Sequence, residues 1–301
     1  MSEPCPLCGN AATKQLRKYE VGVVCREWKR YLHIEVASEF SGLSEFELDY
    51  CTSCDFQFFK PDCVAGSAAL YQKLEEFDWY YLPRKWEHDV ALVDLNGCEN
   101  GIEVGAGRGD FVIRVRKEKG IQFQGCELNP SAVKAASQNN VELYLDTVEN
   151  LAKECPGEYA AVCSFQVLEH LIEPASFLKA AIALLRPGGR LMLGLPNMES
   201  FLAHQFNLLD MPPHHMSRWS ARILKNIQDR FPLQLVRLAY EPLADYHVQS
   251  YVEAYTGLLS HLGLRLAIHP WVRSRLASLI HKSRVQKHLR GQSLYACYVR
   301  T

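Results

Sequence analysis

No uninterrupted apolar run in this 301-residue sequence reaches the roughly 18 residues that a membrane-crossing helix needs, so no span is expected. A surplus of charge is missing too. The net charge of −1 argues against a dedicated nucleic-acid binder. The opening Met1-Ser2-Glu3-Pro4-Cys5 does not read as a signal peptide. With an odd count of 11 cysteines, this makes a cytoplasmic chain the expectation, rather than a disulfide framework. Internal repeats and low-complexity linkers are absent. Acid is absent from Ala254 to Thr301, where eight Lys and Arg occur: Arg265, Arg273, Arg275, Lys282, Arg284, Lys287, Arg290 and Arg300. Apolar residues are plentiful at 48%, enough for a sizeable core. The length allows a full doubly wound domain with additions at both ends.

Ile102-Glu103-Val104-Gly105-Ala106-Gly107-Arg108-Gly109-Asp110-Phe111 reads as an apolar strand, a glycine-rich turn and a helix start. About 20 residues further on, a second apolar stretch ends in Cys126-Glu127-Leu128-Asn129. Small residues let the backbone approach an adenosine cofactor, and an acid at the second strand end can accept from ribose hydroxyls. A dinucleotide fingerprint would need its third glycine at Asp110. The pattern here is E-x-G-x-G-x-G, which resembles motif I of the class I S-adenosylmethionine (SAM) methyltransferases. Taken alone, the loop could also be only a tight turn.

The order of the following segments strengthens the resemblance. Val141–Thr147 reads as a third strand ending in Asp146. Tyr159–Gln166 reads as a fourth, followed by Leu168-Glu169-His170. A helix is expected over Pro174–Leu185, stopped by Arg186-Pro187-Gly188-Gly189, with a fifth strand at Arg190–Leu195. The resemblance implies an α/β, doubly wound, Rossmann-like seven-stranded sheet. It implies Glu103, Gly105, Ala106 and Gly107 at the methionine part of SAM, Glu127 and Leu128 at the ribose, and Asp146 and Thr147 at the adenine. Phe165 and Gln166 would border the sulfonium. The N/D/S-P-P-Y/F signature of amino methylation is absent at Ser164–Val167.

Cys5-Pro6-Leu7-Cys8 and Cys51-Thr52-Ser53-Cys54 are two C-x-x-C knuckles separated by 42 residues. Two such turns can complete a tetrahedral structural zinc site at Cys5, Cys8, Cys51 and Cys54. Two unrelated knuckles, or a redox pair, are the alternatives. Alternation at Leu32–Val36 points to a hairpin in the interval. With Phe56-Gln57-Phe58-Phe59-Lys60-Pro61 behind it, this N-terminal zinc ribbon resembles that of the sugar C-methyltransferases and polysaccharide-associated methyltransferases. Those sugar enzymes have a larger C-terminal region than the one available here.

Tyr71–Leu95 is rich in aromatics and reads as a helix packed on the sheet, as a lid, or as both. In the lid reading Tyr80, Tyr81 or Arg84 closes over SAM, with Arg84 pairing its carboxylate. Beyond the fifth strand, Asp210-Met211-Pro212-Pro213-His214-His215-Met216-Ser217-Arg218-Trp219-Ser220 resembles a segment of the same group. Ser217 or Ser220 would cap a helix over Ala221–Arg230. His214 and His215 are candidate bases, because neutral imidazole suits proton removal near pH 7. His170 is a third candidate, with support of the cofactor pocket as its alternative. A metal held by the adjacent pair is disfavoured, since neighbours in sequence rarely chelate one ion together. In the basic region, Leu258, Leu259, Leu262, Leu264, Leu266 and Ile268 suggest an apolar helical face, with Trp271, Leu276 and Ile280 beyond. It could be a solvated helical insertion, a phosphate-binding wall, or a weak contact to an anionic membrane surface. Leu294–Val299 reads as a last antiparallel strand at the sheet edge.

These readings divide the chain into a zinc ribbon (1–66), a helical lid or linker (67–98), a SAM-binding core (99–240) and a helical substrate region with the last strand (241–301). They describe a cytoplasmic SAM-dependent methyltransferase of a small, anionic metabolite, with a sugar or sugar nucleotide as the leading acceptor. O-methylation of a phenolic or lipid-quinone intermediate is the alternative, and a non-catalytic SAM-fold scaffold is one of another class. The expected partner is a small molecule and not nucleic acid, for a monomer or homodimer.

Overall fold

The computed structural model describes residues 3–261, 263–264 and 268–301. The strands are β1 (Thr13–Glu20), β2 (Glu45–Cys51), β3 (Gln57–Lys60), β4 (Asn100–Val104), β5 (Gln122–Cys126), β6 (Tyr159–Phe165), β7 (Leu185–Pro196), β8 (Ser217–Arg218), β9 (Leu233–Pro242) and β10 (Arg290–Arg300). Among the described residues the main sheet has the order β5-β4-β6-β7-β10-β9. Its first four strands are parallel, and β10 runs antiparallel between β7 and β9.

Both faces of this sheet are covered, so its central strands are apolar without a break, as in β6, which is buried from end to end. Successive side chains serve opposite cores. Leu191, Leu193, Leu294, Ala296 and Tyr298 enter one, while Met192, Tyr295 and Cys297 enter the other. The helices start and stop where local chemistry directs. Gly109 and Gly120, both at positive φ, bracket the helix Asp110–Lys119, whose last turn carries Arg116, Lys117 and Lys119 against the dipole. Asn129 caps Pro130–Gln138 and Ser220 caps Ala221–Ile227.

Three expectations are corrected. The third strand expected at 141–147 is reduced to one bridge, Tyr144 to Cys126, flanking a sheet of six strands. The last strand is interior and β9 takes the edge. The Leu32–Val36 alternation is no strand: a helix, Val21–Leu32, ends there with His33 in the left-handed region. The hairpin partner of β2 is β1 instead. In the basic region, helices span Val248–His261 and Pro270–Ser283. Leu258, Leu259, Leu264, Ile268, Trp271 and Leu276 of the expected apolar face are exposed, while Ile280 packs against the small core cluster that includes Phe201, Leu243 and Ala277. Leu262, Arg265 and Leu266 lie outside the described residues.

The N-terminal unit forms a second sheet, β1-β2-β3-β8, whose last strand comes from the segment after the two histidines. Gln57 pairs with Arg218 and Phe58 with Ser217. Trp219, fully buried, seals the seam: its ring stands edge-on to Phe56 at 5.0 Å and its Nε1 donates to Ser217 Oγ at 3.0 Å. Trp219→Ala should cost about 3–5 kcal/mol in denaturant unfolding. A loss below about 1 kcal/mol would contradict this account of the seam.

Candidate functional site

The parallel strands of the main sheet end at a single cavity of about 1460 Å³, larger than a site for one small ligand usually is. At its floor β4 delivers Glu103 and then turns sharply. The N–H groups of Gly105 and Ala106 both donate to Cys126 O, at 2.9 and 3.0 Å. Gly105 has φ 78°, and a Cβ there would come within 2.4 Å of Val167. Gly107, at φ 53°, passes beneath the Tyr81 ring, where a Cβ would meet ring carbon at 3.1 Å. Glycine is therefore required here by backbone conformation and by close approach.

Glu127, at the end of β5, is held by three backbone donors. Its Oε1 accepts from Leu128 N at 2.7 Å and Asn129 N at 2.9 Å, and its Oε2 from Gly107 N at 2.8 Å. A carboxylate has about four acceptor positions, so with three taken one remains for a hydroxyl of a diol. Asp146 Oδ1 accepts from Thr147 N at 2.7 Å and Asn150 Nδ2 at 2.8 Å, while the Thr147 side chain caps the next helix. Glu103 is buried with Oε2 unpartnered, and burial pushes its pKa well above the usual carboxylate range. Gln166, at φ 58°, donates through Nε2 to Glu87 Oε1 at 3.0 Å. A non-glycine residue in that region at a cavity wall often marks function. Phe165 lines the cavity while its ring packs on Phe111 at 5.1 Å and His88 at 5.0 Å. The Arg84 guanidinium, expected to meet a ligand carboxylate, is paired with Asp89 at 3.1 Å. All twelve residues expected to contact the cofactor line this one cavity.

The three candidate bases line it as well. His170 comes from the turn after β6, and the pair from the loop before β8. The His214 and His215 rings stack at 4.5 Å, and the His170 ring stands edge-on to them at 4.6 and 4.8 Å. His170 Nδ1 lies 2.8 Å from His214 O, and His214 Nδ1 lies 2.9 Å from Leu209 O. A carbonyl only accepts, so both Nδ1 atoms carry the proton and both Nε2 atoms keep a lone pair. Burial lowers all three pKa values, that of His170 to about 4 and those of the pair well below the ordinary value. The rings are neutral at pH 7. Glu169, 1% exposed, has no partner at either oxygen, and burial raises its pKa to about 8.

An aromatic path joins the two ends of the cavity. Tyr81 covers Gly107, Tyr80 lies 5.2 Å from Tyr81, and His214 lies 5.9 Å from Tyr80. Tyr71, Glu87, Asp210 and Glu241 also line it. The sequence reading assigned them no role. Tyr71 and Glu87 carried a signal by standing in the aromatic stretch, and Asp210 by opening the segment that holds the histidine pair; Glu241 carried none.

The four cysteine sulfurs lie outside the cavity, within 4.8 Å of one another, with Cys5–Cys54 and Cys8–Cys51 both at 3.6 Å. Four sulfurs about 2.3 Å from one zinc stand about 3.8 Å apart, so the donor set fits. The Cys54 thiol hydrogen-bonds Cys5 and lowers its pKa to about 5, the pair sharing a proton that a metal would displace.

A doubly wound fold with a glycine turn and an acid at the next strand end defines an adenosine-cofactor enzyme of the Rossmann-like kind. The chain belongs to the methyltransferase domain family, whose model matches residues 79–238. It is 33% identical over 121 residues to the ubiquinone biosynthesis O-methyltransferase of Xanthomonas campestris pv. campestris, covering 38% of this chain and 50% of that protein. To the protein of the same name from Xanthomonas oryzae pv. oryzae it is 32% identical over 121 residues. The chain thus spans about half the length of these curated relatives. Among solved structures, a complex of a methyltransferase and its activator from Haloferax volcanii aligns with TM-score 0.51 and 16% identity, covering 77% of this chain and 95% of that one. That likeness concerns the fold.

Glu127→Ala removes both the diol acceptor and the anchor of the glycine turn. SAM affinity should fall by at least ~1.5–3 kcal/mol, the range for hydrogen bonds to a charged group, measured by calorimetry. Unchanged affinity would remove Glu127 from the site.

Proposed function

We propose that this chain transfers the methyl group of SAM to a hydroxyl oxygen of a small cyclic acceptor, with the His170–His214–His215 cluster activating that hydroxyl. The observation that carries the reading is the set of neutral imidazole lone pairs in the cavity that also holds the glycine turn. Methyl transfer from a sulfonium is an in-line displacement: the acceptor oxygen–carbon bond forms as the carbon–sulfur bond breaks. Alignment and exclusion of water supply much of the rate. The hydroxyl proton must leave, and a neutral imidazole within reach can take it. SAM lies with its methionine part at Glu103 and the Gly105–Gly107 turn, its ribose at Glu127 and Leu128, and its adenine at Asp146 and Thr147. Phe165 and Gln166 flank the sulfonium, and Tyr81 covers it. Arg84 leaves Asp89 to meet the carboxylate.

The relatives' names favour oxygen as the acceptor atom. The sugar acceptor expected from the sequence finds no support in them and stays the second reading. A panel of catechols, quinols and nucleotide sugars with isotopically labelled SAM, read by mass spectrometry, separates the two. SAM binding with no product from any extract would favour the scaffold reading. His214→Gln and His215→Gln, made singly, should leave SAM affinity near wild type and lower turnover by roughly 10²–10⁴. Near-normal turnover in both would remove the pair from the mechanism.

The four cysteines bind one structural zinc in this reading. All four ligand positions come from the protein, so none is open for catalysis. Elemental analysis should find zinc retained through exhaustive dialysis and lost in Cys51→Ser, with loss of folded protein. A fully folded wild-type chain without metal would refute the site.

A further inference from the structure

The histidine cluster has a feature that a proton acceptor alone does not need. Three imidazoles and a carboxylate converge from two loops. One ligand nitrogen from each of His170, His214 and His215 lies within 4.8 Å of the other two. His214 Nε2 and both oxygens of Glu169 are buried without any hydrogen-bond partner, and Glu169 Oε1 is 3.9 Å from His170 Nε2. A buried carboxylate left unpaired is costly, and so is each buried lone pair. The second shell is already in place: His170 and His214 each spend Nδ1–H on a backbone carbonyl, the arrangement that orients metal-binding imidazoles. His215 Nδ1, 3.6 Å from Asp210 Oδ1, is likewise buried without a hydrogen-bond partner.

We propose that His170, His214 and His215 hold a divalent cation of the borderline class, such as zinc, iron(II) or cobalt(II), with Glu169 beside His170 as its outer carboxylate. Three imidazoles suit that class better than magnesium or calcium, which take oxygen ligands. Nitrogens about 2.1 Å from one ion stand no more than about 4.2 Å apart, so a closure on the order of 1 Å, with rotation of the stacked His214 and His215 rings, completes the set. The adjacency of His214 and His215, unfavourable for chelation by two neighbours alone, matters less once His170 supplies a third ligand. Three protein ligands leave a fourth position open for an exogenous oxygen. Resting on the reading of this cavity as the acceptor site, that oxygen is the acceptor hydroxyl, bound as its anion. The cation then lowers the hydroxyl's pKa and stabilises the negative oxygen, the proton leaves to solvent water as the acceptor binds, and the imidazole lone pairs serve as ligands in place of a free base.

The primary readout, metal uptake, needs neither acceptor nor SAM. The chain, with zinc on its cysteines, is titrated with cobalt(II) and read by visible absorption. The expected result is one cobalt per chain, with the weak bands of nitrogen and oxygen ligation and no thiolate charge-transfer band. His170→Gln and Glu169→Gln should each weaken uptake at least ~10-fold. Calorimetry with SAM shows that each variant is folded, and the isosteric Glu169→Gln stands in if a histidine variant is not. No cobalt uptake by the wild type, or uptake unchanged in both variants, overturns the proposal. Loss of turnover in the histidine variants without cobalt uptake by the wild type sinks the cation and leaves an imidazole base standing. Cobalt uptake with normal turnover in those variants supports the ion and removes the cluster from methyl transfer.

Discussion

The peptide group at Met216 ties together the parts of the molecule that matter for its chemistry. Its N–H donates to Glu169 O at 2.7 Å, and its C=O accepts from Phe59 N–H at 2.9 Å. One bond fixes it to the turn that carries His170, the other to the last strand of the N-terminal hairpin. The two histidines immediately before it thereby lose the freedom a surface loop would give them. Gly66 adds to the constraint, since a Cβ there would come within 2.5 Å of Pro213 O. The cysteine cluster thus acts at a distance. Two of its members, Cys51 and Cys54, flank the turn between β2 and β3, and β3 in turn pairs with the strand behind the histidine pair.

That arrangement explains why so much polar surface can be buried at one end of the cavity. Flexible loops would let Glu169 and the imidazoles turn to water. Here they are over-determined by backbone hydrogen bonds from both sides, as functional groups with uncompensated burial must be. The cofactor end is different. Glu127 is satisfied by three amides before any ligand arrives, so that half is organised in advance and the other half waits for a partner.

The glycine turn and the strand ends around it were legible in the sequence because they depend on local chemistry: glycines where φ is positive, acids at strand ends, Asn129 and Thr147 as helix caps. The histidine pair was visible as residues, but its meeting with His170 arises from tertiary packing and has no local signal. β8, two residues long, carries no period. β1 was missed because most of its residues face solvent, as its sequence Thr-Lys-Gln-Leu-Arg-Lys-Tyr-Glu reflects, and alternation reports burial. Leu32–Val36 misled for the converse reason: Ile34 and Val36 are buried, but in an irregular segment after a helix. The third strand failed because an edge position with two backbone bonds, Tyr144 N to Gly125 O and Glu127 N to Tyr144 O, needs no regular ladder.

The position of β10 bears on how the molecule is assembled. Late in sequence, it lies between β7 and β9, so neither can find its partner until Arg290–Arg300 has left the ribosome. Throughout synthesis β7 presents an open, apolar edge of the kind that recruits foreign strands. Pairing of Leu193 with Ala296 closes a loop of about a hundred residues, a slow step by contact order. A chain still lacking Arg290–Arg300 should therefore depend on a chaperone until that strand has been made and paired.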